Sequence, residues 1–141
     1  MNAYQSLKQK HQQEISVFPM VFAFGQKQFE SAMKKLGLKP TDTDKVCSLY
    51  GAGDIMRKAD VPDYIKLIKR QHKELKDAIN ADKIGDGFIY DMFSTELANH
   101  EYCITCDLSD TLSVLNLTVE EVNADPRLLH GLCKATKEQT I

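Results

Sequence analysis

The sequence contains no hydrophobic run long enough to cross a membrane. Its longest apolar stretch, VFPMVFAF at residues 17–24, is much shorter than the roughly 20 residues that a membrane-spanning helix needs. A polar, charged N-terminus precedes this stretch, which argues against a signal peptide. Four cysteines without a secretion signal predict free thiols in a reducing compartment, so we expect a cytoplasmic protein.

The sequence also has no internal repeat and no low-complexity tract. Its 141 residues are 43% hydrophobic and 27% charged, close to the averages of soluble globular domains, which excludes wholesale disorder and a collagen-like repeat. A chain of this length can bury one core of useful size. We therefore predict a single domain over residues 1–141.

Apolar residues recur at helical spacing near the N-terminus. The spacing predicts a first helix from about residue 3 to residue 17, ended by Pro19. A second helix is predicted to begin at Gln26 and to be capped by Gly37. Residues 20–24 lie between them and are too short and too apolar to classify by period, and we interpret them as a buried extended segment.

A short β-hairpin is predicted next. Residues 46–50 and 54–57 flank Gly51-Ala52-Gly53, a glycine-rich turn. This turn lacks the further glycines and the lysine of a phosphate-binding loop. An isolated hairpin needs support from other elements. The predicted fold class is therefore α+β, a mainly helical single domain with one small antiparallel β-hairpin at about residues 45–57 packed on the helices.

Two longer helices follow the hairpin. Asp60, with Pro62 in the first turn, predicts the start of a helix that ends near Gly85. Asp86 can cap the next helix, at about residues 87–99. The side chains expected to face the core are Val61, Ile65, Ile68, Leu75 and Ile79 on the first helix and Phe88, Met92, Phe93 and Leu97 on the second.

Three short helices are predicted to finish the chain, each with a capping signal. Asp107 would cap residues 108–115. Thr118 and Glu121 form a capping box for residues 119–123. Asp125 and Pro126 begin the last helix.

Residues 96–110, ELANHEYCITCDLSD, place soft metal ligands close together. The possible zinc ligands here and further along the chain are His100, Cys103, Cys106, His130 and Cys133. Zinc fingers present two separated ligand pairs on tight turns, whereas three of these residues crowd at one helix end. The C-x-x-C pair also lacks the strand-to-helix context of a thioredoxin motif. We therefore favour packing thiols and no cofactor. The alternative is a small metal- or thiol-dependent enzyme centred on His100, Cys103 and Cys106.

The junction DKIGDGFIYDMF, residues 82–93, resembles a calcium-binding loop. Ile84 stands where an oxygen ligand is needed, and Phe93 stands where a bidentate glutamate should close the site. Its glycines and Asp86 are better interpreted as the end of one helix and the start of the next. No nucleophile set with a matching base is apparent elsewhere, so we predict a protein that is not an enzyme.

Positive charge is missing from a long stretch of the chain. No lysine or arginine lies between Lys83 and Arg127, while residues 1–83 carry a formal charge of plus five. The nine acids in the gap are Asp86, Asp91, Glu96, Glu101, Asp107, Asp110, Glu120, Glu121 and Asp125. Such an asymmetry produces a negative field that can steer and hold a positively charged partner.

Four of these acids surround the end of one predicted helix and the cap of the next. They are Glu96, Glu101, Asp107 and Asp110, and we predict that they form an acidic surface for a protein partner with a basic, nucleic-acid-binding surface. The alternative is that the carboxylates are helix caps and solvated faces. The predicted long helix also carries a basic stripe with Lys66, Arg70 and Lys73. Acids at Glu74 and Asp77 reduce its positive charge, and no aromatic residues are interleaved with it. We therefore interpret the stripe as a solvated helix face and do not expect direct nucleic-acid binding.

Three stretches carry a family resemblance over most of the chain: FPMVFAFGQKQFESAMKKLGL, DTDKVCSLYGAGDIMRK and GDGFIYDMFSTELANHEYCITCDLSDTLSVLNLTVEEVNADPRLLHGL. They resemble a family of small, mostly uncharacterised proteins of gut bacteria and their mobile elements, a group similar to a small anti-CRISPR protein that inhibits Cas9. The resemblance implies an anti-defence inhibitor without catalytic residues. Its partner would be an RNA-guided nuclease such as Cas9, whose basic channel holds nucleic acid. A structural or host-adaptation protein of a mobile element is a further alternative.

Overall fold

The computed structural model describes residues 1–140 and divides into two compact units. The basic unit is His11–His72, and the acidic unit is Met1–Lys10 together with the chain from Lys73 onwards. Counting lysine, arginine, aspartate and glutamate gives formal charges of plus three and minus five, respectively. The chain is 66% helical with a small antiparallel sheet, which confirms the predicted α+β class. That the chain is a single domain stays a prediction.

The sheet lies in the basic unit and has three strands. They are β1 (Met20–Phe22), β2 (Val46–Cys47) and β3 (Asp54–Arg57), in the order β1-β3-β2 with both pairings antiparallel. The predicted hairpin is therefore confirmed, but Ser48–Tyr50 do not extend β2. Residues 20–24 were expected to be a buried extended segment. Met20–Phe22 are extended, as β1, but burial is wrong, because β1 is an edge strand and Phe22 is 56% exposed.

Two helices border the sheet in sequence. Helix α1 spans Ala3–Ser16, and α2 spans Gln26–Lys35. Gly37 ends α2 as predicted, with a φ of 74° that favours glycine. The backbone N–H of Gly37 donates to the Lys34 carbonyl, and that of Leu38 donates to the Met33 carbonyl, which is the hydrogen-bond pattern of a Schellman motif.

Helix α3 spans Val61–Ala81 and runs from the basic unit into the acidic unit. It ends four residues before Gly85, and Asp60 directly precedes it, with its carboxylate accepting a hydrogen bond from Arg57 Nε at 2.8 Å. The buried residues of α3 are Tyr64 and Gln71, whereas Ile65, expected to face the core, is 44% exposed. Leu75 and Ile79 do pack against the core of the acidic unit, so the predicted apolar side is confirmed at these two residues and wrong at Ile65.

Five helices complete the acidic unit: α4 (Phe88–Asn99), α5 (Tyr102–Thr105), α6 (Ser109–Val114), α7 (Val119–Ala124) and α8 (Pro126–Gln139). The single-turn helix α5 was not predicted. Met92, Phe93 and Leu97 of α4 are fully buried as expected, but Phe88 is only partly buried and Ile89 takes its place in the core. Their core neighbours are Tyr4, Leu112, Val122, Leu128, Leu132 and Ala135. Among residues 1–140, no helix combines the length and apolar composition that a bilayer crossing requires.

Asp82 organises the turn from α3 into α4. Its carboxylate accepts hydrogen bonds from four backbone N–H groups, those of Ile84, Gly85, Gly87 and Ile89, at 2.8 to 3.3 Å. Asp86 was predicted to cap α4, and this is wrong: its carboxylate accepts from His130 Nε2 at 2.6 Å and lies 3.6 Å from Lys134 Nζ. The carboxylate that was expected to begin the helix thus bonds to α8.

Arg127 closes the same turn from the other side. Its Nη1 donates to the carbonyls of Ile79 and Asp82 at 3.2 and 2.9 Å, which satisfies acceptors at the C-terminal end of α3. The carboxylate of Asp125 pairs with the Arg127 guanidinium at 2.9 Å and accepts the Arg127 backbone N–H at 3.0 Å. We call the set formed by Asp82, Gly85, Asp125 and Arg127 the clasp.

Replacing Gly85 by alanine should destabilise the fold. Gly85 has a φ of 99°, and an added Cβ would lie 2.3 Å from the Arg127 carbonyl oxygen. We expect Gly85→Ala to lower the free energy of unfolding by about 2 kcal/mol or more, measured by urea denaturation. Gly25→Ala is the control, since nothing lies within 4 Å of its Cβ. Equal stability of the two variants would contradict this role of Gly85.

Candidate partner-binding surface

The segment between α4 and α6 departs from regular helix at two non-glycine residues. Glu101 and Cys106 flank α5 and both have positive φ, 57° and 53°. Left-handed conformations are unfavourable for such residues and separate α5 from its neighbours. Glu101 and Asp107 therefore lie on either side of the single-turn helix α5 in the chain.

Exposed carboxylates surround these short helices. We call Glu101, Asp107, Asp110, Glu120 and Glu121 the acidic rim, and all five are exposed. In the described chain, the acids of residues 84–126 that form ion pairs are Asp86, Glu96 and Asp125, so the rim keeps its negative charge. The backbone N–H of Ser109 donates to Asp107 at 2.9 Å and lowers the pKa of this carboxyl. The Asp107 carboxyl is therefore ionised at neutral pH.

Some rim acids take part in helix capping, which was the alternative explanation of these carboxylates. Thr118 caps α7 by accepting the Glu121 backbone N–H at 3.1 Å, and its hydroxyl donates to the Glu121 carboxylate at 3.1 Å. The Thr118 cap is thereby confirmed, but the Glu121 carboxylate bonds to the Thr118 hydroxyl, whereas in a capping box it accepts the backbone N–H of the capping residue. Glu101 and Asp110 have no such bond among residues 1–140. The segment therefore contains both an acid that takes part in a helix cap, Glu121, and acids that only carry surface charge, Glu101 and Asp110.

Glu96 was predicted to belong to the acidic surface, and this is wrong. The residue is 4% exposed on the core face of α4. Its carboxylate accepts hydrogen bonds from the Tyr4 hydroxyl at 3.0 Å and from Asn99 Nδ2 at 3.4 Å, and His100 Nε2 lies 3.5 Å away. Burial, the Glu96 charge and this hydrogen bond raise the pKa of Tyr4, so the phenol stays protonated and donates. Glu96 is thus a structural residue.

An apolar groove opens beside the rim, and the sequence did not reveal it. Helices α5 to α8 enclose a cavity of about 250 Å³. Its apolar lining comprises Tyr102, Leu108, Leu112, Val119, Val122, Leu129 and Leu132, and its polar lining comprises Asn123, Cys133 and Thr136. Val119 and Leu129 are 54% and 38% exposed, so apolar surface remains accessible at the groove.

The histidines and cysteines do not assemble as the zinc alternative required. His100 lies beside Glu96, while His130 bonds to Asp86 at 2.6 Å. Cys103, Cys106 and Cys133 are exposed free thiols, so the expectation that they are packing residues is wrong. Within the described part of the chain, no three His, Cys, Asp or Glu side chains are grouped so that they could hold a metal ion.

Two further loops are occupied by the protein's own carboxylates. In the calcium-like junction, Asp82 bonds to backbone N–H groups and Phe93 lies in the core. In the glycine-rich turn, the Asp54 carboxylate is 1% exposed and accepts from the Ser48 hydroxyl. It also accepts the backbone N–H groups of Leu49, Tyr50 and Ala52 at 2.8 to 3.1 Å. These N–H groups are therefore already bonded and not available to a phosphate.

The basic stripe of α3 is partly neutralised. Arg70 Nη2 lies 2.6 Å from Glu14, and Lys73 Nζ lies 2.7 Å from Asp77. Both ion pairs agree with the interpretation of this stripe as a solvated helix face.

The Tyr4 and Glu96 pair allows a direct test of the structural role of Glu96. Tyr4→Phe should lower the free energy of unfolding by about 1–3 kcal/mol, because it removes a donor from a buried carboxylate. Glu96→Gln keeps a carbonyl acceptor for Tyr4 and should cost less. Thermal denaturation of both variants measures this order, and a larger loss for Glu96→Gln would contradict it.

The Asp54 carboxylate should make the stability of the protein depend on pH. Burial alone raises the pKa of Asp54, but the Ser48 hydroxyl and the backbone N–H groups outweigh it and lower the pKa below its usual range. The ionised form is therefore favoured by folding. Its stabilisation is present above the unfolded-state pKa of about 3.9 and is lost as the pH falls through the folded-state pKa.

We expect Asp54→Asn to be less stable than the natural protein by about 1–3 kcal/mol at pH 7, because an amide group replaces an acceptor oxygen. Urea denaturation between pH 7 and pH 2.5 should show this difference shrinking below about pH 4. Asp44→Asn, at an exposed position, is the control. A difference that stays constant over this range would contradict the assignment.

Comparison with known proteins places the chain in a family. No curated protein and no solved structure matches the chain significantly. The family model described as "Family of unknown function (DUF7659)" matches residues 3–138, which include the basic unit, most of the acidic unit, and the whole rim and groove. The chain therefore belongs to the DUF7659 family.

Proposed function

We propose that this protein is a non-enzymatic interaction protein whose acidic rim binds a basic surface of a nucleic-acid-handling protein. The observation that carries the proposal is the set of exposed acidic side chains in a stretch without lysine or arginine. Because no positive side chain of residues 84–126 neutralises them, their field extends into solvent over about 8 Å at physiological salt.

The geometry favours recognition of a surface over chemistry on a small molecule. Glu101, Asp107 and Asp110 are exposed at the ends of short helices. Exposed charges of one sign mainly increase the association rate and exclude partners of like charge. A basic channel that holds nucleic acid offers the complementary surface, and an acidic protein can compete there with the nucleic-acid backbone.

The finer form of the proposal follows the family resemblance given by the sequence. In this form the protein is a cytosolic anti-defence inhibitor of a mobile element, and its partner is an RNA-guided nuclease such as Cas9. The acidic rim would occupy part of the basic channel of the nuclease. Strong weakening of the complex by salt is a direct consequence, since the contacts are between exposed charges.

The rim can be tested with two variants whose net charge changes by the same amount at different places on the protein. The rim variant combines Glu101→Lys, Asp107→Asn and Asp110→Lys, where Asn retains an acceptor for the Ser109 N–H. The control variant combines Glu30→Lys, Asp44→Lys and Asp63→Asn, which changes the formal charge equally at exposed positions of the basic unit. Both variants should keep the circular-dichroism spectrum of the natural protein.

Immobilised protein would be exposed to a bacterial lysate and to purified Cas9 with guide RNA, and binding would be quantified against salt. We expect the natural protein and the control variant to retain a nucleic-acid-handling protein, and the rim variant to lose at least about tenfold in affinity. Equal retention by the rim variant would refute the role of the rim. Binding of other proteins but not of Cas9 would refute only the finer form.

A further inference from the structure

We infer that the groove between α5, α6, α7 and α8 receives an apolar side chain of the partner, presented on a segment whose neighbouring residues are lysine or arginine. This inference rests on the proposed function, because it names the feature of the basic partner that the site recognises. It adds an apolar anchor to an interaction otherwise based on charge.

The size of the groove fits a side chain better than a small molecule. Its volume of about 250 Å³ lies below the roughly 300–1,000 Å³ of typical small-molecule pockets. Most of its lining residues are apolar, and Val119 and Leu129 keep 54% and 38% of their surface exposed. One or two aliphatic or aromatic side chains can therefore be buried against them.

The charges around the groove determine which residues can flank the apolar anchor of the partner. Three lining residues, Tyr102, Leu108 and Val119, each adjoin a rim acid in the chain: Glu101, Asp107 and Glu120. No lysine or arginine lines the groove. An apolar anchor flanked by acids would be repelled, whereas lysine or arginine on either side would be attracted within a screening length of about 8 Å.

Polar groups of the groove can orient the segment that carries the anchor. Asn123 and Thr136 contribute an amide and a hydroxyl that can bond to a backbone. Cys133 lies in the lining and is an exposed free thiol. Its rate of alkylation therefore reports whether the groove is filled.

The test uses a synthetic amphipathic peptide of about 14 residues with leucine at helical spacing i, i+3, i+4 and i+7 and lysine at most other positions. One comparison peptide replaces leucine by serine, and another replaces lysine by glutamate. The groove variant is Val119→Ser with Leu129→Ser. The matched control is Ile104→Ser with Val114→Ser, two exposed apolar residues outside the lining.

We expect only the peptide with both leucine and lysine to bind tightly. The groove variant should weaken its binding about tenfold or more, since an apolar side chain loses buried contact. The control should bind like the natural protein, and the rim variant should weaken binding as well. In a variant with Cys47, Cys103 and Cys106 changed to serine, saturating peptide should slow the alkylation of Cys133.

The outcomes separate the two proposals. Weakening by the rim variant but not by the groove variant, with unchanged alkylation of Cys133, overturns the groove inference and leaves the proposed function standing. If only the groove variant weakens binding, the rim does not attract the peptide, and the claim that lysine or arginine flanks the apolar anchor is wrong. If neither variant affects binding, both the groove inference and the proposed function fail.

Discussion

The acidic unit depends on the clasp, in which one carboxylate and one guanidinium satisfy the backbone between helices. Asp82 accepts four backbone N–H groups of the turn into α4, and Arg127 donates to carbonyls at the end of α3. Gly85 lets the turn approach the start of α8, because a side chain there would meet the Arg127 backbone. Two charged groups thereby fix α3, α4 and α8 of this unit, and α4 and α8 share the core that Phe93, Leu97 and Leu132 fill.

The candidate site lies on the short helices that pack against this pair. Helices α5, α6 and α7 contribute few fully buried residues, chiefly Thr111, Leu112 and Val122. Most of their remaining surface is exposed, including the rim acids and the apolar residues at the groove. An unpaired acid contributes little to stability at an exposed position. The rim can therefore change to suit a partner without unfolding the core, which is a property expected of an interaction surface.

The fold class, the end of α2 and the starts of α7 and α8 could be predicted because their signals are local. Gly37, Thr118 with Glu121, and Asp125 bond within a few residues of their own positions. Several predictions that depended on distant partners were wrong. Glu96 is buried because Tyr4, 92 residues earlier, donates to it. The edge strand β1 forms by pairing with β3, and the groove needs four helices together, so neither has a local signal.

The central claim is that the partner contacts the acidic rim and its groove. Hydrogen exchange measured along the chain, with and without the retained partner, tests this claim without any substitution. The account predicts added protection in α5 to α7 and at the start of α8, and little change in His11–His72. Protection confined to the basic unit, for example along β1 and α2, would contradict it.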